Sequence, residues 1–204
     1  MEFMEVIRRR RSIRKYDDRP VPGEYIEEIL EAARLAPSGT NRQPWRFVVL
    51  TGKEREKLRR ACPQAFVTQA PVLVVCCIEL KSFLKDNVTQ RMRELVEGNA
   101  VLEEEVSAIY RRPMPVTVDE VKLTASAYVD LGIAVEHMVL AAANLGLGSC
   151  WIRMMEPETV HRALGLPESI VVGALLPLGY PAEDPAMRPR LSREEILLDY
   201  RNKD

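Results

Sequence analysis

The chain has 204 residues, 47% hydrophobic and 29% charged, with 29 Lys+Arg against 30 Asp+Glu and a formal net charge of -1. This composition reads as soluble and globular, with one sizeable core at about 100–200 residues per domain, and so even a charge balance argues against a general nucleic-acid binder. The start, MEFMEVIRRRR, has no apolar run leading to a small-residue cleavage site, and no later stretch reaches about 18 apolar residues free of charge, so the expectation is a cytoplasmic protein with no membrane span.

In chain order, Phe3, Val6, Ile7 and Arg10 recur at helical spacing and predict a helix over the first eleven residues, with Arg10 on the stripe that faces the core. Arg8, Arg9 and Arg11 fall elsewhere around the turn and are expected in solvent. SIRKY, residues 12–16, reads as extended because two aspartates and a proline follow. Ser12 and Arg14 then share one side, with Arg10 entering from the preceding turn. Two guanidiniums and a hydroxyl placed this way suit a phosphate; surface salt bridges are the alternative.

VPGEYIEEILEAARLAP predicts a second helix, with Ile26, Ile29, Leu30 and Ala33 on one face and Pro37 as its stop. PSGTNRQPW, residues 37–45, is a loop dense in turn formers. It serves either as a turn alone or as a source of donors and acceptors, from Ser38, Asn41 and Gln43, for the edge of a heteroaromatic ring.

A strand is expected at Phe47 to Leu50, a charged helix at Lys53 to Arg60 and a strong strand at Pro71 to Ile78. In that second strand Cys76 and Cys77 point to opposite faces and are poorly placed to bond each other. There is no C-x-x-C, and His137 and His161 are the only histidines, so no metal site is expected and the cysteines read as small buried hydrophobes.

From Leu80 to Arg111 the apolar residues Leu84, Val88, Met92, Leu95, Leu102, Val106 and Ile109 alternate in steps of four and three, with Asn99 in the missing seam position. One long helix and a hairpin broken at Gly98-Asn99 both satisfy this pattern. RRPMPVTVDE reads as a connector into a helix over Val121 to Leu147, whose many alanines and apolar circumference predict burial on more than one side. Strands at Ser149 to Arg153 and Val171 to Tyr180 flank a short helix near Thr159 to Leu164. Without a regular βαβ repeat, the class is α+β. Arg188 and Arg190 take alternate positions of an extended segment, which is otherwise a solvated tail.

Other chemistries find little support. GLGS at 146–149 follows a helix, whereas a dinucleotide fingerprint needs a strand, glycines and then a helix. There is no G-x-S-x-G elbow, and two histidines leave a catalytic triad little to work with.

Four motifs in order resemble the FMN-dependent nitroreductase family: R-R-S-x-R near the start, P-S-x-x-N-x-Q-P-W after the second helix, LGLGSCWI ending the small-residue helix, and LLPLGYP followed by R-x-R. The resemblance covers nearly the whole chain apart from roughly residues 80 to 118. It implies a single nitroreductase-like domain over residues 1–204 with a helical insertion at about 80–118. The implied fold is a central, mostly antiparallel sheet flanked by helices, in an intertwined homodimer with two flavins at the interface.

Carried over by motif, Arg10, Ser12 and Arg14 hold the FMN phosphate and part of the ring from one subunit, with Arg11 among the contacts and Arg188 and Arg190 joining at the phosphate. Pro37, Ser38, Gly39 and Asn41 approach the same flavin from the other subunit. Trp151, Ile152 and Arg153 belong to the segment near flavin N5, and Gln64 is a further candidate for the ring. This chain departs from the family in having Arg153 and Met154 where a small residue is common.

The implied activity is ping-pong reduction of nitroaromatic, quinone or related small-molecule acceptors by NAD(P)H, with the chemistry on the flavin and no catalytic side chain assigned. A reductive dehalogenase or flavin-consuming enzyme is a narrower alternative within the family. A non-enzymatic polyanion binder using Arg8 to Arg11 is the alternative outside it. The insertion would be a lid that chooses the acceptor or a brace for the dimer.

Overall fold

Four antiparallel strands form the central sheet, in the order β1 (Trp45–Thr51), β2 (Val72–Glu79), β4 (Ile170–Gly179) and β3 (Gly148–Ser149). The computed structural model describes residues 1–111 and 120–198. Strand β2 is buried along almost its whole length, because it is covered on both faces, and it therefore reads as a near-continuous apolar run. Alternate side chains enter two cores: Val72, Val74, Cys76 and Ile78 go to one, and Leu73, Val75 and Cys77 to the other. The two neighbouring cysteines part as expected, and all four thiols are free and buried.

Helix α6 (Glu120–Asn144) lies on one face of the sheet, and α2 (Gly23–Arg34) lies on α6. The other face is covered by α3 (Ala65–Gln69), α7 (Pro157–Leu164) and 3-10 turns at Gly52–Leu58. Being sandwiched explains the composition of α6: Ala134, Val135, Met138 and Ala142 are fully buried. Its Thr124–Asn144 stretch is long and apolar enough to cross a membrane by length and composition alone, but it carries Asp130 and Glu136 and so is not the charge-free run whose absence was expected. Here that apolarity packs against α2 and the sheet.

Several expected elements differ in extent. The first helix, α1 (Phe3–Arg9), ends one residue before Arg10. The charged segment after β1 forms 3-10 turns and not an α-helix. Of the strand expected at Ser149 to Arg153, only Ser149 lies in β3, with a single bridge from Ile152 to Leu175.

Between β2 and α6 stand α4 (Lys85–Glu97) and α5 (Glu103–Arg111), broken after Gly98 where Asn99 takes a φ of 56°. The broken alternative is the one realised. Its seam is discontinuous, since Met92 is buried while Leu84 and Leu102 are exposed. Most of the RRPMPVTVDE connector, with the end of the expected insertion, lies outside the described residues, as does the chain after Leu198.

Candidate functional site

The N-terminal basic run is shaped by the way α1 stops. Arg10 donates its N–H to the carbonyl of Val6 at 2.9 Å, closing the last turn, and its ψ of 129° then sends the chain out extended. Ser12 bridges Ser149 of β3 in parallel, Ile13 donates its N–H to the Ser149 carbonyl at 2.9 Å, and Tyr16 bridges Pro181. Gly148 permits this approach: a Cβ there would lie 2.6 Å from Cγ1 of Ile13.

On the other side, Glu183 Oε1 accepts from the backbone N–H groups of Arg14 at 2.6 Å and Lys15 at 3.2 Å. Tyr16 donates its hydroxyl to the Ile13 carbonyl at 2.7 Å. Burial pushes that phenol up, so it remains a donor.

The extended segment and the 185–190 strand of chain enclose a cavity of about 330 Å³ lined by Arg8, Arg10, Arg11, Ser12, Arg14, Arg188 and Arg190. Arg11 is committed to the backbone, donating to the carbonyls of Pro185, Arg8 and Arg10 at 3.2, 2.5 and 2.8 Å. Among the described residues, no carboxylate lies within 4.0 Å of the charged nitrogens of Arg8, Arg10, Arg14, Arg188 or Arg190, whereas Arg9 pairs with Glu5 at 2.7 Å.

Cys150 sits beside this cradle. Burial raises its thiol pKa while Arg14, Ser12, Arg10 and Arg188 pull it down, so the positive field converges on the start of the 150 segment.

The helical stripe was therefore the wrong reason for singling out Arg10. Phe3 and Ile7 are 65% and 39% exposed and only Val6 is buried. Arg10 reaches the cradle because it caps and leaves the helix; Arg8, exposed as expected, and Arg11, half-buried where solvent was expected, line the cradle as well.

A second cluster forms at residues 37–43. Thr40, Asn41 and Gln43 have φ values of 51°, 52° and 49°, left-handed backbone that is uncommon without glycine and strained for a β-branched threonine. The turn is tied down from three sides. Gly39 donates its N–H to Asp130 Oδ1 at 2.9 Å, Gln43 donates its own to Ser38 Oγ at 2.9 Å, and the Gln43 amide donates to Asn41 Oδ1 at 3.0 Å.

Arg42 lies with its guanidinium 4.7 Å from the centre of the Phe83 ring and 3.4 Å from Ser126 Oγ. Asp130 Oδ2 and Arg42 Nε are buried with no hydrogen-bond partner. Strain and orphaned polar atoms thus gather at one turn, where Ser38 is turned inward by its bond while Pro37, Gly39 and Asn41 are presented on or near the surface.

The third cluster is the 151–155 segment. Trp151 donates its ring N–H to Glu136 at 3.2 Å, and Ile152 is buried and bridged to Leu175. Arg153 lies with its guanidinium 5.4 Å from the Tyr128 ring centre, and Met154 is 75% exposed. The Cys62 thiol donates to Gln64 Oε1 at 2.8 Å and lies 3.7 Å from the Met154 carbonyl, which brings Gln64 beside this segment.

The cradle and the 37–43 turn hang from different parts of α6. Leading into the cradle, the Met1 amino group binds Asn144 at the end of α6, whereas the turn hangs from Asp130. Fourteen helical residues separate these anchors, about 21 Å at 1.5 Å per residue.

Three positioning residues escaped the sequence reading. Asp130 had a visible signal, a charge inside an apolar helix; Glu183 and Tyr16 act through backbone contacts that no local pattern announces.

Residues 7–180 match the model of the Nitroreductase family. The chain belongs to the nitroreductase family. A "Putative NADH dehydrogenase/NAD(P)H nitroreductase" of Methanothermobacter thermautotrophicus is 32% identical over 206 residues, covering 98% of this chain and 87% of its own. An "NADH dehydrogenase" of Thermus thermophilus is 37% identical over 194 residues, covering 93% and 92%. Among solved structures, a putative nitroreductase in complex with FMN from Exiguobacterium sibiricum superposes with a TM-score of 0.80 at 25% identity, over 97% of this chain and 96% of that one. The nitroreductase fold and its α+β antiparallel sheet are thus those expected from the motifs, and cradle, turn and 151–155 segment are the parts of that fold in which the sequence-selected residues stand.

Proposed function

We propose that this nitroreductase is an FMN-dependent oxidoreductase that uses NAD(P)H to reduce nitroaromatic, quinone or related acceptors. The observation that carries the reading is the cradle: guanidiniums of Arg8, Arg10, Arg14, Arg188 and Arg190 and the Ser12 hydroxyl around one cavity, with no carboxylate close to those cations among the described residues. A phosphate dianion fits such a donor set, because each charge-assisted hydrogen bond is shorter and stronger than a neutral one. Arg11 and Glu183 act indirectly, by fixing the backbone on either side.

Pro37, Ser38, Gly39 and Asn41 would meet the edge of the ring, with Gln64, Trp151, Ile152 and Arg153 near its reactive part. An FMN held by these residues would supply two-electron redox chemistry between a nicotinamide and an acceptor. The protein's share is to orient the ring, to place cationic charge near it and to offer donor and acceptor one space in turn, the basis of ping-pong kinetics. No side chain needs to act as acid, base or nucleophile.

The same reading includes a homodimer whose sites draw on both chains. The separation of about 21 Å between anchors along α6 supports it, since a turn held that far along the helix is free to serve a partner's cradle. Exposed apolar residues point the same way: Phe3 on α1, Val129 on α6 and Ile196, Leu197 and Leu198 near the C-terminus are 62–89% exposed, and such surface is commonly covered by a partner. Four buried, unpaired cysteines fit a reducing, cytoplasmic compartment. A polyanion-binding role for Arg8 to Arg11 finds less support, because Arg9 pairs with Glu5 and Arg11 is tied to carbonyls.

Two measurements test the proposal together. Heat release and chromatography should yield FMN at one per chain, and light scattering should give a flavin-loaded dimer. FAD as the main species, or a flavin-loaded monomer at micromolar concentration, would overturn it.

A further inference from the structure

A second basic cavity, of about 360 Å³, lies between the 37–43 turn and α4. Its charged lining is Arg42, Arg46, Lys81 and Arg91 against the single carboxylate of Glu79. Arg91 is partly neutralised by Glu94 at 2.7 Å. Among the described residues, Arg42, Arg46 and Lys81 have no carboxylate within 4.0 Å of their charged nitrogens.

The cations are held in place by neutral groups. Arg46 donates from Nη1 to the carbonyls of Trp45 at 2.7 Å and Gln43 at 3.2 Å, and Arg42 Nε is buried without a partner. Glu79 is turned to the Lys81 backbone N–H at 3.2 Å, and Asn87 donates to the Lys81 carbonyl at 2.6 Å, which fixes the rim. Like charges gathered in a cleft raise the local concentration of anions. Glu79 and Glu94 offset part of this charge, and the cavity keeps an excess of cations.

The cavity is also well placed. Gln43 lines it, and Asn41, two residues earlier, is exposed and belongs to the turn proposed for the flavin edge. Two residues of chain span at most about 7 Å. A ligand whose reacting end lies at the flavin could therefore reach the cavity with its far end.

We infer that this cavity is an anion subsite for the molecule that meets the flavin, taking a phosphate or carboxylate carried away from the reacting ring. The inference rests on the proposed oxidoreductase reading. The anion has two sources: the extra phosphate that distinguishes NADPH from NADH, or an acidic group on the acceptor. Arg46 and Lys81 are the discriminating contacts, being exposed side chains whose loss leaves the core intact.

The test is calorimetric titration of oxidised, flavin-loaded protein in two arms, NADP+ against NAD+ and para-nitrobenzoate against para-nitrobenzyl alcohol. Wild type should favour the more anionic member of one pair by about tenfold or more, as one or two charge-assisted contacts allow, and salt should weaken the preference. The arm showing it names the source. In Arg46→Gln/Lys81→Gln the preference should collapse toward unity. Arg93→Gln, an exposed change on α4 outside the cavity, should retain it.

Equal affinities in both arms for wild type, or a preference that survives the double substitution, would overturn the inference. A protein that purifies without flavin, or whose flavin NAD(P)H does not reduce, would instead break the functional reading on which the subsite rests.

Discussion

The cradle at residues 8–16 and the turn at residues 37–43 serve the same proposed ligand by different physics. The cradle is ordinary extended backbone, pinned to β3 and to Glu183, that gathers several cations. The turn is the reverse, a backbone forced into left-handed conformations and held by the buried Asp130 carboxylate together with bonds among its own side chains. Charge supplied by several side chains is lost one contact at a time, whereas shape enforced by a strained turn depends on the bonds that hold it.

The largest expected effect tests the cradle's charge. Arg10→Ala should weaken FMN binding by about 1.5–3 kcal/mol, roughly ten- to a hundredfold, as loss of a charge-assisted hydrogen bond requires. Arg9→Ala should cost far less, because that guanidinium is exposed and already paired with Glu5. Titrating each apo-protein with FMN at fixed salt separates them, and equal losses would mean a diffuse basic patch.

The cradle's backbone is tested by Gly148→Ala. A Cβ 2.6 Å from Cγ1 and 2.8 Å from Cβ of Ile13 has nowhere to go, so stability should fall by about 1–3 kcal/mol, the usual cost of overpacking. Denaturant unfolding of the apo-protein measures this, and an unchanged midpoint would show that the Ser12–Ser149 bridge yields freely.

For the turn, Asp130→Ala removes the acceptor of the Gly39 N–H, but also a buried carboxylate oxygen without a partner. The two consequences oppose, and the net loss of stability should be about 1 kcal/mol. Flavin binding should then suffer mainly at the ring. The flavin's visible spectrum should shift in Asp130→Ala while phosphate-dependent affinity, compared between FMN and riboflavin, keeps its wild-type ratio.

The smallest effect at neutral pH concerns the scaffold beneath both. Burial raises the Cys77 thiol from its ordinary 9.0 to about 12, and Cys62, Cys76 and Cys150 are raised by burial as well. The unfolded chain ionises first, so stability should be level below about pH 9 and fall with rising pH from there toward about 12. Cys77→Ala should flatten part of that fall in unfolding measured across an alkaline series.

Much of this was legible because it was local. Alternation in VLVVCCIE, the apolar circumference of residues 121–147 and the ordered motifs all depend on neighbours within a few residues, and they identified the sheet, the core helix and the segments that carry the candidate site. Tertiary structure decided what depended on distant partners. Arg10 was assigned by helix phase, yet a helix that ends at Arg9 and an extended segment held by Ser149 put it in the cradle. The Ser149–Arg153 strand shortened because only its first residue finds a continuous partner in β4. Asp130 is one of two acids inside an apolar helix in sequence and an anchor only once Gly39, 91 residues earlier, is brought against it. Local periodicity sets which faces can be buried, whereas the partner of a buried polar group is chosen by the packing of elements far apart in the chain.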